Sequence, residues 1–143
     1  MTRVDLRRTD NALAFEASDT QGHRVQMDGS PEIGGHNAGV RPMQQLLMAL
    51  GGCSGIDIVS ILTKQKQQIR RFDISVEGER DGNKGASLWK EVRVHFQLAG
   101  DIDAEKAQRA CALSVDTYCS VAATLRAAGC QISWRVSLDP VSP

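Results

Sequence analysis

Alternating apolar and polar positions near the start of the chain predict β-strands. In residues 3–28, apolar side chains alternate with polar ones in three short runs, separated by turn sequences at 10–11 and 19–22. This alternation is typical of strands with one buried face, and Asp, Asn and Gly favour the turns between them. The pattern predicts a three-stranded antiparallel meander.

The middle of the chain predicts one long apolar helix over residues 42–67. Pro42 suits the first helical turn, where its missing N–H is not needed. Between 46 and 62 nearly every side of the helix is apolar, which is typical of a helix inside a protein. The stretch is short for a membrane span, and Asp57 would be costly in lipid, so we expect a buried core helix and no membrane association.

Two glycines interrupt this helix directly before Cys53. Each costs about 1 kcal/mol relative to alanine in a helix interior. Close approach of another element, a kink, or exposure of Cys53 would account for Gly51 and Gly52. A break at this point would start a new helix at Cys53 and place its thiol at the positive end of a helix dipole.

The rest of the chain completes an α+β pattern. We expect a hairpin of strands 69–80 and 88–98, helices over 104–113 and 115–128, and a last strand over 132–138. Strands that arrive as hairpins predict a mostly antiparallel, six-stranded sheet wrapped around the long buried central helix. One such sheet cannot cover all the apolar surface of that helix, so we expect a homodimer. Residues 1–143 are expected to form a single domain.

Composition and charge exclude several classes of protein. The chain is 41% hydrophobic and 24% charged, as in ordinary globular proteins, which argues against a disordered chain or a coiled coil. Lys+Arg and Asp+Glu number 17 each, without the basic excess that a dedicated nucleic-acid binder usually carries. Charges at the start leave no room for an apolar signal segment, so we expect a cytoplasmic protein whose cysteines do not form structural disulfides.

The histidines give no sign of a metal site. His23, His36 and His95 are dispersed and have no metal-ligand spacing to one another or to the cysteines. Gly34 and Gly35 lack the lysine and the strand-loop-helix context of a phosphate-binding loop. We therefore expect no metal.

Two of the four cysteines stand in distinctive motifs. Cys111 and Cys130 are expected to be packed, inert thiols. Cys53 and Cys119 lie in PMQQLLMALGGCSGID at 42–57 and YCSV at 118–121. Together with the element order, these motifs resemble the OsmC/Ohr family of thiol-dependent hydroperoxide reductases over essentially the whole chain. The second motif is similar to that of the YhfA-like branch.

The resemblance implies a fold, a chemistry and a set of partners. Members are intertwined homodimers with two active sites at the subunit interface. Carried over to this chain, Cys53 is the peroxidatic thiol that attacks the hydroperoxide, and Cys119 is the resolving thiol. A dithiol reductant of the lipoyl or thioredoxin type then reduces the disulfide, and no cofactor is needed.

The sequence departs from the family beside the first motif. The family normally supplies an arginine from the N-terminal region and a glutamate just after the motif proline. Here Met43, Gln44 and Gln45 follow that proline, and Gln44 takes the usual position of the glutamate. Arg24 and Arg41 are both candidates for the arginine, and spacing does not choose between them.

These observations predict a thiol-dependent peroxidase that reduces organic hydroperoxides through Cys53 and Cys119. The missing glutamate keeps two alternatives open. One is a weakly catalytic or non-catalytic dimer that binds a small apolar or acyl ligand or acts as a redox sensor. The other is a redox partner that only exchanges disulfides.

Overall fold

The computed structural model of the protein describes residues 1–139 and contains two compact units, with the boundary in the chain after Leu46. In chain order the strands and helices are β1 (Val4–Arg8), β2 (Phe15–Asp19), β3 (Arg24–Met27), α1 (Pro42–Lys64), β4 (Gln68–Arg80), β5 (Trp89–Asp101), α2 (Ala104–Leu113), α3 (Ser120–Ala127) and β6 (Gln131–Asp139). Pro31–Ile33 form a 3₁₀ turn, and Ser114–Tyr118 form a π-helical turn, called the π-turn below. The α+β class is therefore confirmed.

The first unit contains the predicted antiparallel meander. β2 pairs with β1 on one side and β3 on the other. Asp10 and Asp19 make the two turns, because each carboxylate accepts backbone N–H bonds from residues two and four positions further on. The turn signals in the sequence thus had the expected physical cause.

A buried carboxylate organises the loop after β3. The Asp28 side chain is 2% exposed and accepts hydrogen bonds from the backbone N–H groups of Gly29, His36 and Ala38. These bonds, the one from Ala38 above all, hold the pKa of Asp28 below its usual range. The loop therefore has a fixed shape despite its glycines.

The second unit is built on the sheet β4-β5-β6. β4 and β5 form the predicted long antiparallel hairpin, whereas β6 pairs with β5 in parallel. The crossover that parallel pairing requires contains α2, the π-turn and α3. The strands are thus mostly antiparallel, as expected, but the six are divided between two three-stranded sheets.

One face of α1 is buried in the second unit. Leu50, Ser54, Ile58 and Leu62 recur every four residues and are fully buried, in a core shared with the inward side chains of β5. Other apolar residues of the helix are exposed, with Ile56 at 73%. The expectation of a helix buried on nearly every side therefore does not hold within one chain. By length and composition alone, α1 could cross a membrane.

Candidate active site

Cys53 lies in the middle of α1 on a continuous helix. The expected break at the glycine pair is wrong, because α1 runs without interruption from Pro42 to Lys64. Its thiol therefore does not lie at a helix N-terminus. The side chain is half-buried and packs against the edge of the core.

The glycines before and after Cys53 serve close packing instead. A Cβ atom on Gly51 would lie 3.3 Å from Val76 Cγ2, and one on Gly55 would lie 2.8 Å from Ile74 Cδ1. Nothing lies within 4 Å of the Cβ position of Gly52, which is exposed. Of the explanations considered for the glycine pair, close approach to β4 applies to Gly51.

Cys119 lies at a junction between two kinds of helix. The helix expected over 115–128 is interrupted, because the π-turn ends there and Cys119 is the N-cap of α3. Its backbone N–H donates to the carbonyl of Ser114 at 2.7 Å, and its Sγ accepts from the N–H of Ala122 at 3.4 Å. Cys119 is 2% exposed.

The structure brings the two thiols together. The thiols of Cys53 and Cys119 lie close enough to interact, although the two residues are far apart in the chain. Burial raises the pKa of the Cys119 thiol to about 11, and the neighbouring Cys53 thiol acts in the same direction. The N–H of Ala122 opposes this shift but does not overcome it. Cys119 therefore keeps its proton at neutral pH.

The other two cysteines belong to the core. Cys111 is fully buried on α2, and burial raises its pKa to about 12. Cys130 is also buried, and burial raises its pKa. Both thiols are free, like those of Cys53 and Cys119. Protonated and out of contact with solvent, they have the properties of inert packing groups.

Asp57 and Ser114 form a second polar contact at the site. Asp57 lies one helical turn after Cys53, and its Oδ2 accepts a hydrogen bond from Ser114 Oγ at 3.1 Å. The partner of Asp57 is thus a serine hydroxyl. Ser114 was missed from the sequence, because nothing marks a serine as the start of a π-turn.

The three supporting residues named from the sequence make local contacts in the first unit. Arg24 Nε lies 3.7 Å from Glu16 Oε1. The Arg41 guanidinium donates to the carbonyl of Gly39 and to Asn37 Oδ1 at 2.9 and 3.0 Å. Gln44 Oε1 accepts from the backbone N–H of Arg41 at 3.0 Å, as in a capping box at the start of α1. Their catalytic roles stay predictions.

The histidines take part in small local contacts. His23 Nδ1 lies 2.7 Å from Asp19 Oδ2, and His95 Nε2 lies 2.8 Å from Ser137 Oγ. Within residues 1–139, no three His, Cys, Asp or Glu side chains are grouped so that they could hold a metal ion.

Comparison with known proteins agrees with this arrangement of strands, long helix and crossover. The sequence profile described as "OsmC-like protein" matches residues 35–135. Protein YhfA of Escherichia coli strain K12 is 38% identical over 120 residues, which cover 81% of this chain and 84% of that protein. The chain therefore belongs to the OsmC family, as the motifs suggested.

Solved structures show the same fold. A hypothetical protein from Aquifex aeolicus VF5 is 26% identical with a TM-score of 0.79, covering 97% of this chain and 98% of that one. The organic hydroperoxide resistance protein OsmC from Legionella pneumophila has a TM-score of 0.71 at 16% identity and covers 96% of each chain. At that identity the likeness to the second structure is one of fold alone.

Proposed function

We propose that the protein is a dithiol-dependent peroxidase that reduces organic hydroperoxides. The observation that carries this proposal is the proximity of the Cys53 and Cys119 thiols. Family membership supports it, since relatives of the same fold carry the description "organic hydroperoxide resistance protein". One thiol of the pair is half-buried and the other is buried, and this difference suggests how the two roles are divided.

The first step belongs to Cys53. Cys119 is protonated near neutral pH and closed to solvent, so the attacking thiolate is that of Cys53. Cys53 attacks the outer oxygen of the hydroperoxide, the O–O bond breaks, and an alcohol leaves after taking up a proton. Cys53 becomes a sulfenic acid, oxidised by two electrons.

The second step belongs to Cys119. Its sulfur attacks the Cys53 sulfenic acid, the thiol proton leaves with the hydroxyl group as water, and a Cys53–Cys119 disulfide forms. An external dithiol of the lipoyl or thioredoxin type then reduces the disulfide by thiol–disulfide exchange and is itself oxidised. The cycle needs no metal or organic cofactor.

We propose that the working form is a cytoplasmic homodimer. Met48, Ile56 and Val59 of α1 expose apolar surface in the single chain. Exposed apolar patches of this kind favour association, and an intertwined dimer would cover them. A reducing cytoplasm suits a protein with four free thiols. Sedimentation velocity at micromolar concentration should show a dimer, and a stable monomer would contradict this part of the proposal.

The peroxidase is tested by turnover with an organic hydroperoxide and a reduced lipoyl dithiol. Cys53→Ser should abolish turnover. Cys119→Ser should still consume about one equivalent of hydroperoxide but should not turn over, because no disulfide can form. Cys130→Ser, which alters a buried thiol outside the pair, should keep most of the activity. Wild-type turnover no faster than that of Cys53→Ser would overturn the proposal.

One observation favours a second function, the binding of an apolar or acyl ligand. The first unit has a mostly apolar groove of about 340 Å³ whose lining includes Val4, Leu6, Val25 and Met27. Native mass spectrometry of the purified protein distinguishes the two functions. A co-purified ligand together with no peroxidase turnover would favour this alternative, and turnover without a ligand would favour the peroxidase.

A further inference from the structure

The π-turn before Cys119 has an unusual pattern of backbone hydrogen bonds. The N–H of Cys119 bonds to the carbonyl five residues earlier, that of Ser114, instead of four. Such turns are rare and frequent at functional sites. The position of the Cys119 sulfur therefore depends on what holds this turn in place.

The first anchor of the π-turn comes from the helix that carries Cys53. Ser114 is fully buried, and its hydroxyl lies 3.1 Å from Asp57 Oδ2 and 3.2 Å from the carbonyl of Ser54. Asp57 follows Cys53 by four residues, on the same side of α1. The same helix, α1, thus carries both the Cys53 thiol and the carboxylate that accepts a hydrogen bond from Ser114, the first residue of the π-turn.

The second anchor comes from α3. Arg126 Nη1 donates to the carbonyl of Val115 at 2.6 Å, and Nη2 donates to Asp116 Oδ1 at 3.3 Å. These bonds fix the π-turn to the helix that follows it. They do not reach α1, so they cannot by themselves set the distance between the two sulfurs. In the described part of the chain, the hydrogen-bonded side-chain link between the turn and α1 is the Ser114 hydroxyl, which lies against Asp57 and the Ser54 carbonyl.

We propose that Asp57 is a positioning residue that, through Ser114, holds Cys119 beside Cys53. It is not a catalytic residue, because it acts on the backbone that carries one of the reacting atoms. The inference rests on the proposed function in that the two sulfurs must form a disulfide. It adds that their effective concentration depends on the Asp57–Ser114 hydrogen bond.

Thiol–disulfide equilibrium with glutathione tests this without any hydroperoxide. Oxidised glutathione takes two electrons and two protons from the Cys53–Cys119 dithiol, leaving two molecules of reduced glutathione and the protein disulfide. Asp57→Ala should lower the equilibrium constant 10- to 100-fold, since a shift of about 1 Å between reacting groups can cost about 100-fold. Each tenfold loss corresponds to a reduction potential higher by about 30 mV.

Two further variants separate positioning from charge. Asp57→Asn keeps an oxygen that accepts the serine hydroxyl but removes the charge, so it should stay within about threefold of wild type. Ser114→Ala removes the donor to both Asp57 and the Ser54 carbonyl, so it should be at least as impaired as Asp57→Ala, and the double variant should be no worse than Ser114→Ala. Asp73→Asn, which alters an exposed carboxylate on β4 outside the π-turn and its anchors, is the matched control and should behave as wild type. If Asp57→Ala does not fold, Ser114→Ala decides.

Each outcome has a distinct meaning. An equilibrium constant for Asp57→Ala or Ser114→Ala equal to that of wild type would overturn the positioning role. So would an Asp57→Asn variant as impaired as Asp57→Ala, because that result assigns the effect to charge. If wild type forms the disulfide with glutathione but not with organic hydroperoxide, the peroxidase proposal fails while the positioning role stands. If wild type forms no Cys53–Cys119 disulfide at all, both fail.

Discussion

Alkylation of the reduced protein at pH 8 should distinguish its cysteines, with Cys53 reacting first. The perturbation is a short treatment with iodoacetamide, which reacts with thiolates and not with thiols. Cys53 is half-buried, whereas Cys119, Cys111 and Cys130 are buried. A small thiolate fraction and restricted access therefore both slow the alkylation of these three buried cysteines.

The magnitude for Cys119 follows from its pKa of about 11. At pH 8 about 0.1% of this thiol is ionised, compared with about 24% of a free thiol with a pKa of about 8.5, a ratio of about 240. A more basic thiolate is intrinsically more nucleophilic, which recovers about tenfold of that loss. Protonation alone should thus slow Cys119 about 20-fold relative to a free thiol, and burial should slow it further.

Peptide mapping by mass spectrometry measures the extent of labelling at each cysteine over time. Raising the pH from 8 to 10 should increase the Cys119 thiolate about 90-fold, so its labelling should accelerate far more than that of a free thiol. In Cys53→Ala, Cys119 loses a neighbour that raises its pKa and gains access through the gap, so it should react faster than in wild type. Labelling of Cys119 at the rate of Cys53 in the wild-type protein at pH 8 would refute the reasoning.

Three further predictions concern stability. Gly52→Ala should raise the free energy of unfolding by about 1 kcal/mol, because its Cβ meets nothing, whereas Gly55→Ala should raise it by less, because Ile74 Cδ1, 2.8 Å from the new Cβ, has to move; urea unfolding measures both, and equal effects would contradict the packing assigned to Gly55. Burial raises the pKa of Cys119 to about 11 and of Cys111 to about 12. The stability that these protonated thiols contribute should therefore be complete below pH 9 and fall as the pH rises through 11. Urea unfolding measures it, and a midpoint that stays constant over that range would be inconsistent with their burial. Asp28→Asn should make the 28–40 loop more susceptible to limited proteolysis, because the replacement removes the charge that accepts three N–H bonds, and an unchanged cleavage rate would show that the loop does not depend on it.

Local patterns were sufficient for most of the secondary structure. The alternation in β1 to β3 and the β4-β5 hairpin are set by neighbouring residues, and both were predicted. The helix predicted over 42–67 ends earlier, at Lys64, because Lys66 adopts a positive φ that does not continue a right-handed helix. Nothing in the local pattern shows that β6 pairs with β5 in parallel, because that depends on the path of the crossover.

In the candidate site, the sequence predicted the reactive thiols better than the backbone that carries them. The motifs identified Cys53 and Cys119, but not the backbone around them. A break at the glycine pair was one of the possibilities considered, but α1 is continuous there, and packing of Gly51 against β4 offsets the low helix propensity of glycine. The π-turn that ends at Cys119 has no recognisable sequence signal, since it is fixed by contacts with Asp57 and Arg126 from other parts of the chain.

The parallel pairing of β6 with β5 has a consequence for the order of folding. Parallel neighbours can join only after the intervening segment has closed over the sheet, so this pairing has a high contact order and is intrinsically slow. That segment carries Cys119, whereas Cys53 lies on α1, which precedes all three strands of this sheet in the chain. A nascent chain that lacks β6 would thus expose the Cys53 thiol before Cys119 is secured, and the arrival of β6 completes the dithiol pair.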